Sequence, residues 1–378
     1  MTCILAVFGT RPEAIKMAPV VLELRRRAGF ETIVCVTGQH RGMLDEALAV
    51  FDIRPEHDLG IMRPGQSLAD ITTDVLAKLT PLLKKLEPDR VVVHGDTTTT
   101  YAATIASFYL GIPVGHVEAG LRTGNMHAPW PEEFNRRSVD MVADLLWAPT
   151  EAAAENLHRE GAKPRSIVVT GNTAVDAIAA IKARIESEKP LSEALWQQLP
   201  QLDGRKRLVL VTGHRRESFG EGLAEICHAL NRLAVRDDIE IVWPVHPNPN
   251  VIGAIRAHLK FGDNIHLIEP IEYLRFVALM LRSHIIISDS GGIQEEAPTL
   301  SKPVLVTRNE TERPEAILAG TAKLVGTSAD RIVATATKLL DDAAAYARMV
   351  ARENPFGDGR AAIRIADSLF ARHAGIAA

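Results

Sequence analysis

The sequence predicts an α/β protein built from two Rossmann-like, doubly wound domains facing a cleft. Three observations predict it. Short apolar runs alternate with amphipathic helical patterns almost throughout, which is how parallel strands joined by crossover helices read. At 378 residues the chain exceeds one ordinary core. The two halves also open alike, with a strand, then Gly-x-Arg, then a helix: Gly9-Thr10-Arg11 and Gly213-His214-Arg215.

In the first half, strands are expected at Ile4–Phe8, Thr32–Thr37, Arg90–His94, Pro113–Val117, Leu145–Ala148 and Ser166–Thr170. In the second they are expected at Arg207–Thr212, Glu240–Pro244, Ile265–Ile268, His284–Ser288, Val304–Thr307 and Ala322–Val325. Helices lie between them. Leu68, Ile71, Val75, Leu79, Leu82 and Leu86 recur at the spacing of one helix face, as do Leu223, Ile226, Leu230 and Leu233. A polar helix over Ala177–Glu188, followed by Lys189-Pro190 and by Pro200 to Gly204, marks a boundary between Thr170 and Arg207. The expected domains are therefore 1–172 and 173–357. The last pattern, Arg360–Arg372 within 358–378, is a helix able to pack on either.

Composition narrows the function. Apolar residues are 46% of the chain, charged residues 24%, and the formal net charge is −4. That balance argues against a general nucleic-acid or membrane-surface binder, though it leaves room for a local cationic cleft. Cys3, Cys35 and Cys227 are too far apart to suggest a paired framework, so reduced thiols and a cytoplasmic location are expected. No Cys-x-x-Cys or His-Glu-x-x-His motif calls for a metal. The N-terminus lacks the basic start and long apolar run of a secretion signal, and no segment approaches a membrane span.

The most informative stretch is Ser288 to Pro298, in which Ile285-Ile286-Ile287 runs into Ser288-Asp289-Ser290-Gly291-Gly292 and then a helix start. Backbone N–H groups at such a turn suit an anion, and glycines let a phosphate approach. Glu296, further along, could bind sugar hydroxyls. The segment reads either as a nucleotide-diphosphate site or as a capped helix with a glycine turn.

Elsewhere polar residues gather after strands: Arg11, Gln39-His40-Arg41, Gly95-Asp96-Thr97, Glu118 to Arg122, His214 to Glu217, and His246. In parallel sheets these share one rim, where ligands bind. Each also has a structural reading. Asp96 could cap a helix near Thr97, Glu118 could pair with Arg122, and Arg11 could bond loop carbonyls. Glu132 and Glu133 follow Pro131 at a helix start and complement its positive end. Arg136 and Arg137 could bind phosphate or pair with those acids. Arg313 opens another helix and suits a diphosphate. Three carboxylates, Asp96, Glu118 and Glu132, together with Arg11, His214 and Arg313, favour chemistry over packing.

With these segments laid out, the chain closely resembles the non-hydrolysing bacterial UDP-N-acetylglucosamine 2-epimerases. The matching stretches are Phe8 to Pro19, Thr37 to Arg41, Val93 to Thr97, Val117 to Thr123, Pro131 to Arg136, Gly213 to Glu217, Ser288 to Pro298 and Thr311 to Ala316, in order from end to end. The resemblance implies a GT-B-like fold, shared with many nucleotide-sugar glycosyltransferases. It also implies reversible conversion of UDP-GlcNAc to UDP-ManNAc for cell-surface polysaccharide, in a cytoplasmic homodimer. By match of motif, Ser290, Gly291, Gly292, Glu296 and Arg313 hold the diphosphate and ribose, and Phe276 lies near the uracil. Arg11 and His214 face the phosphates, and Lys16 and Arg136 count among the substrate-binding residues. Asp96, Glu118 and Glu132 match the catalytic acids, with His214 beside them.

The implied chemistry is anti elimination of UDP to 2-acetamidoglucal and syn re-addition. Carboxylates act at C2, cations steady the departing diphosphate, and no metal or nicotinamide is needed. Retaining the intermediate implies domain closure. Many relatives bind a second UDP-GlcNAc as activator, through a glutamine and an arginine where this chain has Gly42 and Gly65. Gln39, Arg215 and His246 remain from that neighbourhood, so weak or absent activation is expected. The competing readings are an epimerase of a modified UDP-sugar, a hydrolysing epimerase, a GT-B glycosyltransferase and a non-enzymatic nucleotide-sugar sensor.

Overall fold

The computed structural model describes residues 1–38, 41–260 and 262–373. The elements of the first unit run β1 (Thr2–Phe8), α1 (Arg11–Arg26), β2 (Phe30–Val36), α2 (Arg41–Val50), β3 (His57–Asp58), α3 (Leu68–Leu86) and β4 (Arg90–His94). They continue α4 (Thr98–Tyr109), β5 (Val114–Val117), α5 (Glu132–Val142), β6 (Leu145–Ala148), α6 (Glu151–Arg159) and β7 (Ile167–Val169), and α7 (Thr173–Ser187) carries the division between the units. Beyond them come α8 (Lys189–Gln197), β8 (Arg207–Thr212), α9 (Glu221–Leu233), β9 (Ile239–Pro244), α10 (Pro249–His258), β10 (Ile265–Ile268) and α11 (Tyr273–Arg282). The chain ends with β11 (Ser283–Ser288), α12 (Gly291–Glu296), β12 (Val304–Val306), α13 (Pro314–Ala319), β13 (Ala322–Leu324), α14 (Ala329–Asp341), α15 (Ala343–Val350) and α16 (Ala361–His373).

The chain divides into two compact units, Met1–Ala177 with the stretch from Phe356 onward, and Ile178–Pro355. The first sheet has the order β3-β2-β1-β4-β5-β6-β7 and the second β10-β9-β8-β11-β12-β13, and every strand pair is parallel. Each order reverses direction once, between β1 and β4 and between β8 and β11. Those reversals are the points at which open α/β sheets bind ligands, beyond the carboxyl ends of the strands. The predicted α/β class with two doubly wound sheets is what the chain forms.

All twelve expected strands are present. The short β3 was not expected, because its two residues, His57 and Asp58, form no apolar run. Lys189-Pro190 opens α8, since proline suits a first helical turn, where its missing N–H costs nothing. In α3 the buried face is Ile71, Val75, Leu79 and Leu83: the first three were expected, while Leu68, Leu82 and Leu86 of the expected face are only half-buried and Leu83 takes the last core position. The first core gathers Leu5, Val7, Val91 and Val93 of the sheet against that face. The second gathers Val209, Val211, Ile285 and Ile287 against Leu223, Ile226 and Leu230 of α9. The C-terminal helix α16 packs in the first unit: Arg27 of the segment after α1 reaches Asp367 at 2.5 Å, and Trp147 Nε1 donates to Ser368 Oγ at 2.7 Å.

Candidate active site

In the first unit, the turn after β1 is built by a capping box. Thr10 caps α1, and the Glu13 carboxylate accepts the N–H groups of Gly9 (3.0 Å) and Thr10 (2.7 Å). The other oxygen of Glu13 accepts the hydroxyls of Thr97 (2.7 Å) and Thr100 (3.0 Å) after β4. One buried carboxylate thus ties the two loops of the switch point, leaving Arg11 half-buried as the first residue of α1.

Asp96 follows β4 and does not cap α4; Thr97 does. Its carboxylate meets Arg136 Nη2 at 2.5 Å, and its carbonyl accepts Asn135 Nδ2 at 2.9 Å. Arg136 also reaches Glu133 at 3.4 Å. Glu133 is fully buried and accepts the N–H groups of Thr123 and Gly124, so it shapes the loop that leads to α5. Glu132, its neighbour, is half-buried at the first position of α5.

Glu118 follows β5 with φ of +66°, in the left-handed region that a non-glycine residue occupies only when its surroundings hold it there. Its Oε2 receives Lys16 Nζ at 2.5 Å and Asn172 Nδ2 at 3.0 Å. The turn closes at Gly120, φ +86°, where a Cβ would stand 2.3 Å from the Ala153 carbonyl oxygen. Beneath it, buried Asp140 accepts Gly120 N–H (3.1 Å), faces His116 Nδ1 at 2.6 Å and meets Arg122 at 2.8 Å. Burial pushes the Asp140 carboxyl upward, but His116 and Arg122 outweigh it and hold the group below its ordinary range. Arg122 therefore serves Asp140 and Glu160 (2.6 Å), not Glu118.

In the second unit, Asp289 ties the switch point as Glu13 does in the first. Fully buried after β11, it accepts the N–H groups of His214 (2.7 Å) and Arg215 (2.8 Å) after β8. His214 Nδ1 lies 3.2 Å from its other oxygen. Burial raises the Asp289 carboxyl, but the His214 side chain and the two N–H groups bring it below its ordinary value. His246 stacks on His214 with ring centroids 5.6 Å apart. Burial first, then His214, pushes His246 downward, with Asp289 opposing. Of the other second-site residues, Arg215 is half-buried, and Gln39 lies outside the described residues.

Ser290 N–H donates to Ser288 Oγ at 3.0 Å, and Gln294 links the Ser290 carbonyl to the Thr311 hydroxyl. That link brings Arg313 over the glycine turn: a Cβ on Gly291 would lie 4.0 Å from the guanidinium. Gly292 continues the turn into α12. Arg313 Nε donates to buried Glu295 at 2.5 Å, which aims the guanidinium. Glu296 accepts the Tyr273 hydroxyl at 2.9 Å, and half-buried Phe276 stands one turn along the same α11.

The structure thus gathers Asp96, Glu118, Lys16, Arg136, Arg11 and Glu132 at the strand ends of the first unit. It gathers His214, Ser290, Gly291, Gly292, Arg313, Glu296 and Phe276 in the second. Sequence reasoning missed Glu13, Asp289, Glu295 and Asn172, which position the others. It also missed His94, whose signal was its place in Val93-His94-Gly95-Asp96. Among the described residues no cluster of His, Cys, Asp and Glu could hold a metal ion, and no helix is long and apolar enough to cross a membrane.

A sequence model of the family described as UDP-N-acetylglucosamine 2-epimerase matches residues 22–370. The chain is 53% identical to the UDP-N-acetylglucosamine 2-epimerase of Escherichia coli K12 over 367 residues, 97% of this chain and 98% of that one. It is similar to the crystal structure of UDP-GlcNAc 2-epimerase from Neisseria meningitidis bound to UDP-GlcNAc, with 48% identity and a TM-score of 0.90 over 98% of this chain and 100% of that one. It is also similar to the Methanocaldococcus jannaschii UDP-GlcNAc 2-epimerase in complex with UDP-GlcNAc and UDP: 30% identity and a TM-score of 0.80, over 98% and 99% of the two chains.

Proposed function

The chain belongs to the UDP-N-acetylglucosamine 2-epimerase family, and we propose how its own residues carry the reversible epimerisation at C2 of UDP-GlcNAc to UDP-ManNAc. The observation that carries the reading is Glu118, held in a left-handed turn at the end of β5 with Lys16 2.5 Å from its oxygen. A cation at that distance fixes the carboxylate in direction at the end of the strand, where a proton acceptor is needed.

The chemistry needs such a group. C2 has no neighbouring carbonyl, so its proton is not acidic in the ground state. Loss of UDP from C1 gives oxocarbenium character, which acidifies C2–H. A carboxylate removes the proton, leaving 2-acetamidoglucal and UDP by anti elimination. Protonation on the opposite face with syn return of UDP gives the epimer. Carbon begins and ends at one oxidation state, so the route consumes no nicotinamide, and it asks for no metal.

We assign Asp96, Glu118 and Glu132 to the acid and base work. Lys16 and Arg136 serve that work by holding Glu118 and Asp96, at 2.5 Å each. The UDP part falls to the second unit. His214, Arg313 and the N–H groups at Gly291 and Gly292 take the diphosphate, next to Ser290, and Arg11 is the phosphate-facing group of the first. Fixed cations and N–H groups aimed at a developing anion stabilise its departure. Glu296, oriented by Tyr273, takes the ribose, and Phe276 the uracil.

We also propose a homodimer in the cytoplasm. Phe108 and Tyr109 at the end of α4 are 59% and 75% exposed, and Phe134 and Met141 on α5 are 44% and 86% exposed. Tyr101 and Phe134 rings touch at 5.6 Å, so the two helices share one apolar face, of the kind a second copy covers. The three cysteines are unpaired, as suits a reducing compartment.

Incubation with UDP-GlcNAc alone, followed by chromatography, tests the activity. UDP-ManNAc is the expected product. Free ManNAc, or no change until a sugar acceptor is added, would overturn the reading.

A further inference from the structure

His94 closes β4 and is 4% exposed, with its carbonyl fixed by the Thr100 hydroxyl at 2.6 Å. Both of its ring nitrogens are buried, and neither has a hydrogen-bond partner among the described residues. Buried polar atoms are almost always partnered, so an imidazole with two idle nitrogens asks for a reason. A carboxylate stands close by: His94 Nε2 lies 3.7 Å from Glu118 Oε2. The register of the sheet sets this approach, since His94 pairs with Val117 across β4 and β5, and Glu118 is the next residue. The same oxygen, Oε2, receives Lys16 and Asn172.

Resting on the assignment of Glu118 to acid and base work, we propose that His94 is the proton partner of Glu118, acting through that carboxylate and not on the sugar. When Glu118 is ionised, Lys16 holds its oxygen and the imidazole stands idle at 3.7 Å. Once Glu118 has taken a proton, its charge no longer holds Lys16, and the carboxyl O–H has a lone pair of His94 within a small side-chain rotation. The O–H bond breaks as the N–H bond forms. Glu118 returns to a carboxylate and His94 becomes a cation beside it, so the local charge balances with no other reactant. The reverse transfer rearms Glu118 as an acid. The strained turn at Glu118 keeps its Oε2 beside the ring. A histidine present only to fill space would perform neither transfer.

The test compares His94→Gln and His94→Asn, which keep polar side chains but cannot carry a proton at neutral pH, with wild type. Initial rates, thermal melts and UDP affinity by calorimetry are measured on each full-length protein. The expected result is a fall in kcat of about tenfold to a hundredfold, a smaller step than removal of a primary acid or base. KM, UDP affinity and melting temperature are expected to hold, with a changed solvent deuterium isotope effect on kcat. If both substitutions keep wild-type kcat, or if one restores it as a hydrogen-bonding substitute, the proposal fails. Loss of kcat only in proportion to lost folded protein also overturns it. Should both variants fail to fold, the isotope effect and proton inventory of the wild-type enzyme decide: more than one proton in flight is expected, and a single proton rejects the relay. Failure of the wild type to epimerise would instead sink the functional assignment on which this rests.

Discussion

Asp289 and His214 meet at both backbone and ring: the carboxylate accepts His214 N–H at 2.7 Å, and His214 Nδ1 stands 3.2 Å from its second oxygen. The carboxylate comes from the end of β11 and the imidazole from the end of β8, the two strands between which the second sheet reverses. Glu13 makes the equivalent tie between the loops after β1 and β4. In both units a single buried acid holds open the place where ligands are expected to bind.

Asp289→Asn places an amide N–H₂ where either the backbone N–H groups or the His214 ring now meets an acceptor. Hydrogen bonds to a charged group are each worth about 1.5–3 kcal/mol, so UDP affinity is expected to fall about tenfold or more, with a lower melting temperature. Calorimetric titration with UDP checks the first and a thermal melt the second.

Acid should unfold the protein through the same groups. Asp289 and Asp140 are held below the ordinary carboxylate value in the folded state. A depressed folded pKa contributes stability that is fully present above the unfolded value, near ~3.9, and is lost as pH falls through the folded one. Urea unfolding followed from neutral pH downward should show stability dropping in the window below about pH 4. The drop should be shallower in Asp140→Asn, which also loses about 3–5 kcal/mol at neutral pH because Arg122 and His116 keep their places without their carboxylate.

Much of this was legible in the chain. The run Ile285-Ile286-Ile287 and the glycine turn after it marked β11 and the approach to α12, because apolar period and turn chemistry are local. The expected gathering of Asp96 and Glu118 followed from strand ends alone. What could not be read is which charge meets which. Glu118 finds Lys16, 102 residues away in sequence, while Arg122, only a turn further along the loop, is taken by Asp140 and Glu160. Asp289 reads as an ordinary turn residue until β8 is placed beside β11. His94 reads as the last residue of a strand until Glu118 is seen beside it.

Glu118→Gln removes the base and leaves its shape. kcat is expected to fall by about 10²–10⁴ with UDP affinity kept, since UDP is assigned to the other unit. Lys16→Met should lower kcat in the same direction and leave UDP affinity equally untouched. Steady-state kinetics beside UDP titration separates this from Lys16 serving as a phosphate ligand, for which UDP affinity would fall.

Activation by a second UDP-GlcNAc should be weak or absent. Gly42 offers no side chain, and a Cβ there would meet nothing within 4 Å. Gly65 has φ of +72°, which disfavours any side chain in its place. Rate against UDP-GlcNAc is expected to be hyperbolic, and UDP-ManNAc alone should react without a lag. A sigmoidal curve, with UDP-ManNAc inert until UDP-GlcNAc is added, would contradict this.

The most direct measurement is proton NMR of the protein with UDP-GlcNAc in heavy water, without metal, nicotinamide or acceptor. The account predicts UDP-ManNAc carrying deuterium at C2, because the proton that leaves C2 passes to a carboxylate and returns from solvent. UDP-ManNAc that keeps its original C2 hydrogen at every turnover would contradict it, and so would an unchanged spectrum.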